Sequence, residues 1–164
     1  MNLIQKILTF VVLPLAIAGL IFFNSELATR FYSPKVNTEV QYSAAINSSI
    51  SQLSMVPSEG KSLIFNVKNE GKTIWIPNEE SDIVLSYRIL NTGRDTIVME
   101  GDRVKLPHAV RPGDEVKLNM TIIAPEEPGQ YIIVIDMVHE GVTWFADKGS
   151  KPWEIQLEVL AKKV

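Results

Sequence analysis

Tyr131 to Phe145 reads YIIVIDMVHEGVTWF, with PGQ in front of it and ADKGSKP behind. Its first part alternates with the period of a sheet strand. Tyr131, Ile133, Ile135, Met137 and His139 point one way, and Ile132, Val134, Asp136, Val138 and Glu140 point the other. Both rows stay largely apolar until the polar residues near the end, the pattern of a central strand covered on both sides. Gly141 breaks the run, and Trp144-Phe145 follow as a second short apolar piece.

The flanking sequence repeats the period of two. After the stretch, Trp153, Ile155, Leu157 and Val159 alternate with Glu154, Gln156 and Glu158. Before it, Val116, Leu118, Met120 and Ile122 alternate with Lys117, Asn119 and Thr121. Arg111-Pro112-Gly113-Asp114 is a turn signal, because proline presets one torsion and glycine accepts a positive one. Further upstream, Ile83, Leu85, Tyr87 and Ile89 share a face, as do Leu63, Phe65 and Val67, and shorter runs fall at Thr73 to Ile76, Thr96 to Glu100 and Arg103 to Leu106. No segment after residue 25 carries a helical period. The expectation is an all-β chain over residues 50–162: an immunoglobulin-like antiparallel β-sandwich of seven to eight strands. Tyr131, just after Pro128-Gly129-Gln130, stands where a tyrosine corner would, and Trp75 where an early strand supplies a core tryptophan.

The chain has 164 residues, a net charge of -3 and no cysteine. Its length suits one domain. The charge argues against a nucleic-acid footprint, which needs clustered Lys and Arg. Absence of cysteine excludes disulfides, thiolate metal sites, a Cys nucleophile and a lipid-modified Cys. Ile7 to Phe23, ILTFVVLPLAIAGLIFF, carries no charge, and at about 1.5 Å per residue spans roughly 25 Å, close to the hydrocarbon thickness of a bilayer. Residues 1–24 therefore read as a transmembrane signal-anchor helix, with Pro14 tolerated as a kink. Ala16-Ile17-Ala18 resembles a small-x-small cleavage site, but cutting there would leave GLIFF as an exposed apolar terminus, so the segment is read as uncleaved. Lys6 lies close before the span, and Arg30 and Lys35 follow only after a gap. This places the N-terminus in the cytoplasm and the C-terminal domain outside it. Residues 25–49 read as a stalk, or a stalk plus one irregular first strand over Val36 to Tyr42.

The combination VKNEGKTIW, DIVLSYRIL and LPHAVRPGDEVKLNMTIIAPEEPGQYIIVIDMVHEGVTWF with DKGSKP resembles the immunoglobulin-like domain of bacterial cell-surface and glycosyltransferase-associated proteins. The resemblance implies a bacterial envelope setting and a non-catalytic binding or accessory role. The chain departs from the larger members in carrying no catalytic domain.

Asp136, His139 and Glu140 form the densest titratable cluster, but a strand sends His139 to the opposite side from Asp136 and Glu140, so no metal triad forms and no cofactor is expected. No serine has a nucleophile-elbow setting, and Gly93, Gly101 and Gly113 are isolated turn glycines, not a phosphate loop. The candidate contact residues for a ligand or partner are Trp144, Phe145, Lys148, His139 and Glu140. Adjacent residues on an extended segment point opposite ways, so one ring of Trp144-Phe145 can face solvent and stack on a sugar or anchor a partner. The expected partners are a membrane, crossed once, and envelope polysaccharide or a neighbouring membrane protein. A structural subunit of a complex that makes or exports envelope polysaccharide is the alternative.

Overall fold

The computed structural model describes residues 41–77 and 82–161. The expected span at Ile7 to Phe23 and residues 36–40 of the optional strand Val36 to Tyr42 lie outside the described residues, while Gln41 and Tyr42, which are described, are not in a strand. No helix among the described residues is long and apolar enough to cross a membrane.

The described chain is all-β. Its strands are β1 (Ala44–Asn47), β2 (Gln52–Met55), β3 (Gly60–Asn69), β4 (Ile83–Asn91), β5 (Ile97–Glu100), β6 (Val104–Lys105), β7 (Glu115–Ile123), β8 (Gly129–His139), β9 (Thr143–Trp144) and β10 (Trp153–Val159). One sheet runs β1-β3-β7, and the other runs β2-β10-β8-β4-β5, with β6 also on β4 and β9 on β8. Every pair is antiparallel except β2 with β10, which is parallel. The wholly antiparallel expectation therefore needs correcting. The parallel pair arises because β1 lies in the first sheet and β2 in the second, so the chain changes sheets at residues 48–51 and keeps its direction.

The two sheets bury their facing rows in one apolar cluster, the arrangement of a β-sandwich. β3 gives Leu63, Phe65 and Val67, and β7 gives Val116, Leu118, Met120 and Ile122. From the other sheet come Leu85, Tyr87 and Ile89 of β4, Ile133, Ile135 and Met137 of β8, and Ile155, Leu157 and Val159 of β10. These rows are the ones that the period of two picks out, because a strand residue with a buried neighbour two places away faces the same side. The run at Thr73 to Ile76 is not a strand but a single bridge, Trp75 to Val110, which places the fully buried Trp75 in the core. β1 begins at Ala44, inside the stretch read as connecting, and Tyr42, Ala44 and Ile46 join the core.

Ladder and turn contacts fix the ends. Gly113 sits at φ 87° in the turn before β7, and its N–H donates to the Asn69 carbonyl at 2.8 Å. Tyr131 Oη donates to the Glu127 carbonyl at 3.0 Å, closing the expected tyrosine corner. Tyr87 spans the sandwich: its hydroxyl accepts the Ile123 N–H at 3.0 Å, and its ring lies flat against Gly101.

A side chain at position 101 would have to occupy the space of the buried Tyr87 ring, which its hydroxyl bond holds in place. Gly101→Ala is therefore expected to cost about 2–3 kcal/mol, the upper range for overpacking a filled core. Urea unfolding should show a lowered midpoint with little change in slope.

Candidate functional site

β8 is paired on both edges, by β4 and β10, and residues 132–138 are all buried. Its pairing with β10 stops at Ile135, opposite Trp153, the first residue of β10. Beyond that point the backbone of β8 needs other partners, since an unpaired buried N–H is costly. The Asp136 carboxylate supplies one. Oδ1 accepts the Met137 N–H and Oδ2 accepts the Ala146 N–H, each at 2.8 Å, while the Phe145 N–H donates to the Met137 carbonyl at 2.9 Å. A single aspartate thus completes the ladder edge that β10 leaves open and ties down the segment that follows β9. Burial is the largest influence on its acidity and raises its pKa from 3.8 to about 6, against the two backbone N–H donors and the nearby Arg88 charge, which lower it.

This tether sets the two rings of the opening stretch on opposite sides. Phe145 is fully buried, edge-on to Tyr42 at 5.2 Å and to Trp75 at 5.6 Å between ring centroids. Its expected place among the contact residues is corrected: the bond from its N–H to Met137 turns the ring into the core. His139 belongs to the same group, its Nδ1 at 2.9 Å from Tyr42 Oη. Trp144 faces the other way, half-buried beside Val138 on the outer side of the larger sheet.

The outer side is also apolar and also buried: Val84, Ile132, Val134 and Val138 are nearly inaccessible, although they do not belong to the main core. Long charged side chains share that side. Arg88 lies over the Trp144 ring at 4.2 Å from its centroid, and Arg103 lies at 5.3 Å. Arg103 donates through Nε to Glu140 at 2.6 Å, and through Nη1 to Ser86 Oγ at 2.7 Å and the Gly101 carbonyl at 2.9 Å. Arg94 makes a two-pronged pair with Glu154 at 2.6 and 2.7 Å, and the Arg94 hydrogen bond holds the Glu154 carboxyl below its ordinary range. Arginine stems and planar heads cover apolar surface here, and the Arg88 Nε is itself buried.

Of the five candidates, the structure joins Trp144 and Glu140 through Arg103, and Phe145 and His139 through Tyr42; Lys148 is exposed on the 3-10 turn Ala146–Lys148, where its backbone N–H donates to the Phe145 carbonyl at 2.9 Å. Tyr42, Arg88 and Arg103 escaped the sequence reading. Arg88 had a signal, as the one charged residue in IVLSYRILN. No group of three or more potential metal ligands occurs among the described residues.

No protein-family model and no curated protein matches the chain. Solved structures with partial likeness include the sporulation control protein Spo0M of Bacillus subtilis, at 18% identity and a TM-score of 0.45, over 73% of this chain and 50% of that one. A family 123 glycoside hydrolase of Clostridium perfringens shows 10% identity and a TM-score of 0.41, over 73% of this chain and 27% of that one. The ASH/PapD-like domain 7 of human CEP192 shows 11% identity and a TM-score of 0.35, over 76% and 89%. The chain thus spans half of the first and about a quarter of the second, and none of their activities is carried over.

Asp136 gives a signed pH prediction. Its folded pKa is above its unfolded one, so its contribution to stability is fully present below pH 3.8 and is lost as pH rises through about 6. The stability of the parent chain minus that of Asp136→Asn should fall by as much as about 3 kcal/mol between pH 4 and 7. Paired urea titrations across that range measure it. Asp136→Asn should also be less stable than the parent at pH 5, by about 1–3 kcal/mol, because the amide nitrogen faces an N–H donor that it cannot accept.

Proposed function

We propose that the protein is a membrane-anchored, extracytoplasmic, non-catalytic interaction module of the bacterial cell envelope, its sandwich of immunoglobulin-like type. The observation that carries this reading is the joining, in one chain, of the uncharged run Ile7 to Phe23 to a self-contained β-sandwich. The basic flank at Lys6 sets the orientation, with the sandwich outside. The strand order β1-β3-β7 against β2-β10-β8-β4-β5, with the Tyr131 corner, supports the immunoglobulin-like assignment.

Within this reading the contact residues are the half-buried Trp144 and Glu140 and the exposed Lys148. Trp144 is braced by two guanidinium groups, so its indole stands ready at a fixed angle, and Glu140 and Arg103 supply planar hydrogen-bonding groups beside it. Such an aromatic with flanking planar polar groups suits a sugar ring of an envelope polysaccharide.

Two measurements test the proposal. A reporter that works only outside the cytoplasm, fused at Val164, is expected to be active, and activity of a cytoplasmic reporter at the same place would reverse the orientation. Retention of the detergent-solubilised chain on immobilised envelope polysaccharide should drop about tenfold or more in Trp144→Ala, the loss of one stacked aromatic contact. Circular dichroism confirms that the variant folds, and equal retention by parent and folded variant would remove the polysaccharide reading.

A further inference from the structure

At the end of β8 far from Tyr42, a groove of about 400 Å³ opens between the edge strand β5 and the turn from β7 to β8. Val98, Met99, Pro125 and Tyr131 supply its apolar wall, and Glu126 and Glu127 its acidic rim. β5 carries a bulge: Met99 pairs with Ile89 and Ile97 with Leu90, so two residues oppose one. A bulge re-aims side chains, and here both Ile97 and Val98 are solvent-facing, at 50% and 44% exposure. The Gly101 N–H donates to the Tyr87 carbonyl, so by alternation the N–H and C=O of Glu100 point away from β4, toward the open edge.

The charges around this groove select its occupant. Glu126 and Glu127 have no ion-pair partner among the described residues. Asp95, on the hairpin leading into β5, keeps its carboxyl below the ordinary range through hydrogen bonds from Asn91 and Thr96, and so stays charged. Arg94, on the same hairpin and close to Asn91, which pairs with Tyr131, is engaged on Glu154. A second copy of the chain would bring the same carboxylates against themselves, and an anionic lipid surface or a nucleic acid would be repelled.

We propose that this groove docks an extended, basic segment of a partner protein in which apolar side chains alternate with Lys or Arg. The apolar row lies on Val98, Met99 and the Tyr131 ring, the basic row meets Glu126 and Glu127, and the segment's backbone bonds the open side of Glu100. This deepens the interaction-module reading by naming a partner class, and it rests on that reading, though not on the membrane orientation.

The probe is a fluorescein-labelled short peptide of alternating Lys and Val, titrated by anisotropy against the full chain in non-ionic detergent micelles, with empty micelles subtracted. A matching peptide of alternating Glu and Val is the control. Saturable binding of the Lys peptide alone is expected, weakening with added salt. Glu126→Gln with Glu127→Gln should weaken it about tenfold, and Val98→Lys by at least as much. Both sets of positions are exposed, so the fold is expected to persist, and amide exchange at residues 97–100 should slow on binding. Absence of saturation below about 1 mM, equal binding of the Glu peptide, binding unmoved by both variants, or self-association lost in Val98→Lys would each overturn the proposal. If the Val164 reporter fails while the Lys peptide binds, only the orientation falls; if the reporter succeeds and the peptide does not bind, only the groove proposal falls.

Discussion

β8 must satisfy backbone groups on both edges while burying side chains on both faces, and β10 is too short to serve the whole of one edge. The Asp136 carboxylate resolves this by accepting the Met137 N–H where strand pairing ends and the Ala146 N–H from the returning chain. Much follows from those two bonds. They fix where the chain turns after β9, and thereby send Phe145 into the core and Trp144 onto the outer side of the sheet. A carboxylate in this position resists ionisation because it is buried, but two charge-assisted donors offset part of that cost. The aspartate that the sequence shows as one of a titratable cluster is the splice of the ladder.

The outer side of the larger sheet extends the same logic. Antiparallel sheets commonly show one apolar and one wet face. Here the second face bears Val84, Ile132, Val134 and Val138, which need cover. Where a sheet of parallel strands would use helices, this one has arginine stems and one indole beside its valines and isoleucine. Arg88 and Arg103 each lie over the Trp144 ring, Arg103 is held by Glu140 and Ser86, and Arg94 is held by Glu154. Surface ion pairs in isolation contribute little. Their importance here is geometric, since they hold long side chains flat and keep the indole from rotating away.

The sequence makes the strands legible wherever an apolar row of three or more residues alternates with polar ones, as in Leu63-Phe65-Val67 or Val116 to Ile122, because burial of one face imposes that period. It also exposes both apolar rows of β8, and hence the central place of that strand. β1 and β2 are harder to see: alanine in AAIN blurs the contrast between rows, and each strand has only four residues before the chain changes sheets. Trp75 reads as a core residue, but its run is only a bridge, since a large ring buries well without a regular strand around it. The site is less legible than the fold. The separation of His139 from Glu140 follows from strand alternation, whereas the partnership of Trp144 with Arg88 and Arg103 depends on cross-strand neighbours that local sequence does not encode.

The distribution of charge ties the two ends of the molecule together. Arg94 and Arg103 are drawn into ion pairs over the outer face, and Lys105 is paired with Asp82 at 2.8 Å near the start of β4. Of these, Arg94 alone adjoins Asn91, the residue of β4 opposite Tyr131, whereas Lys105 and Arg103 serve the His139 end of β8; Glu126 and Glu127 of the turn between β7 and β8 have no ion-pair partner among the described residues. Net charge of -3 over the chain is too small to polarise the whole surface. Commitment of Arg94 leaves that corner acidic, because an unpaired surface carboxylate is felt within about a Debye length, near 8 Å at physiological salt. Holding Arg94 on Glu154 therefore leaves the corner beside β5 to the carboxylates of Asp95, Glu126 and Glu127.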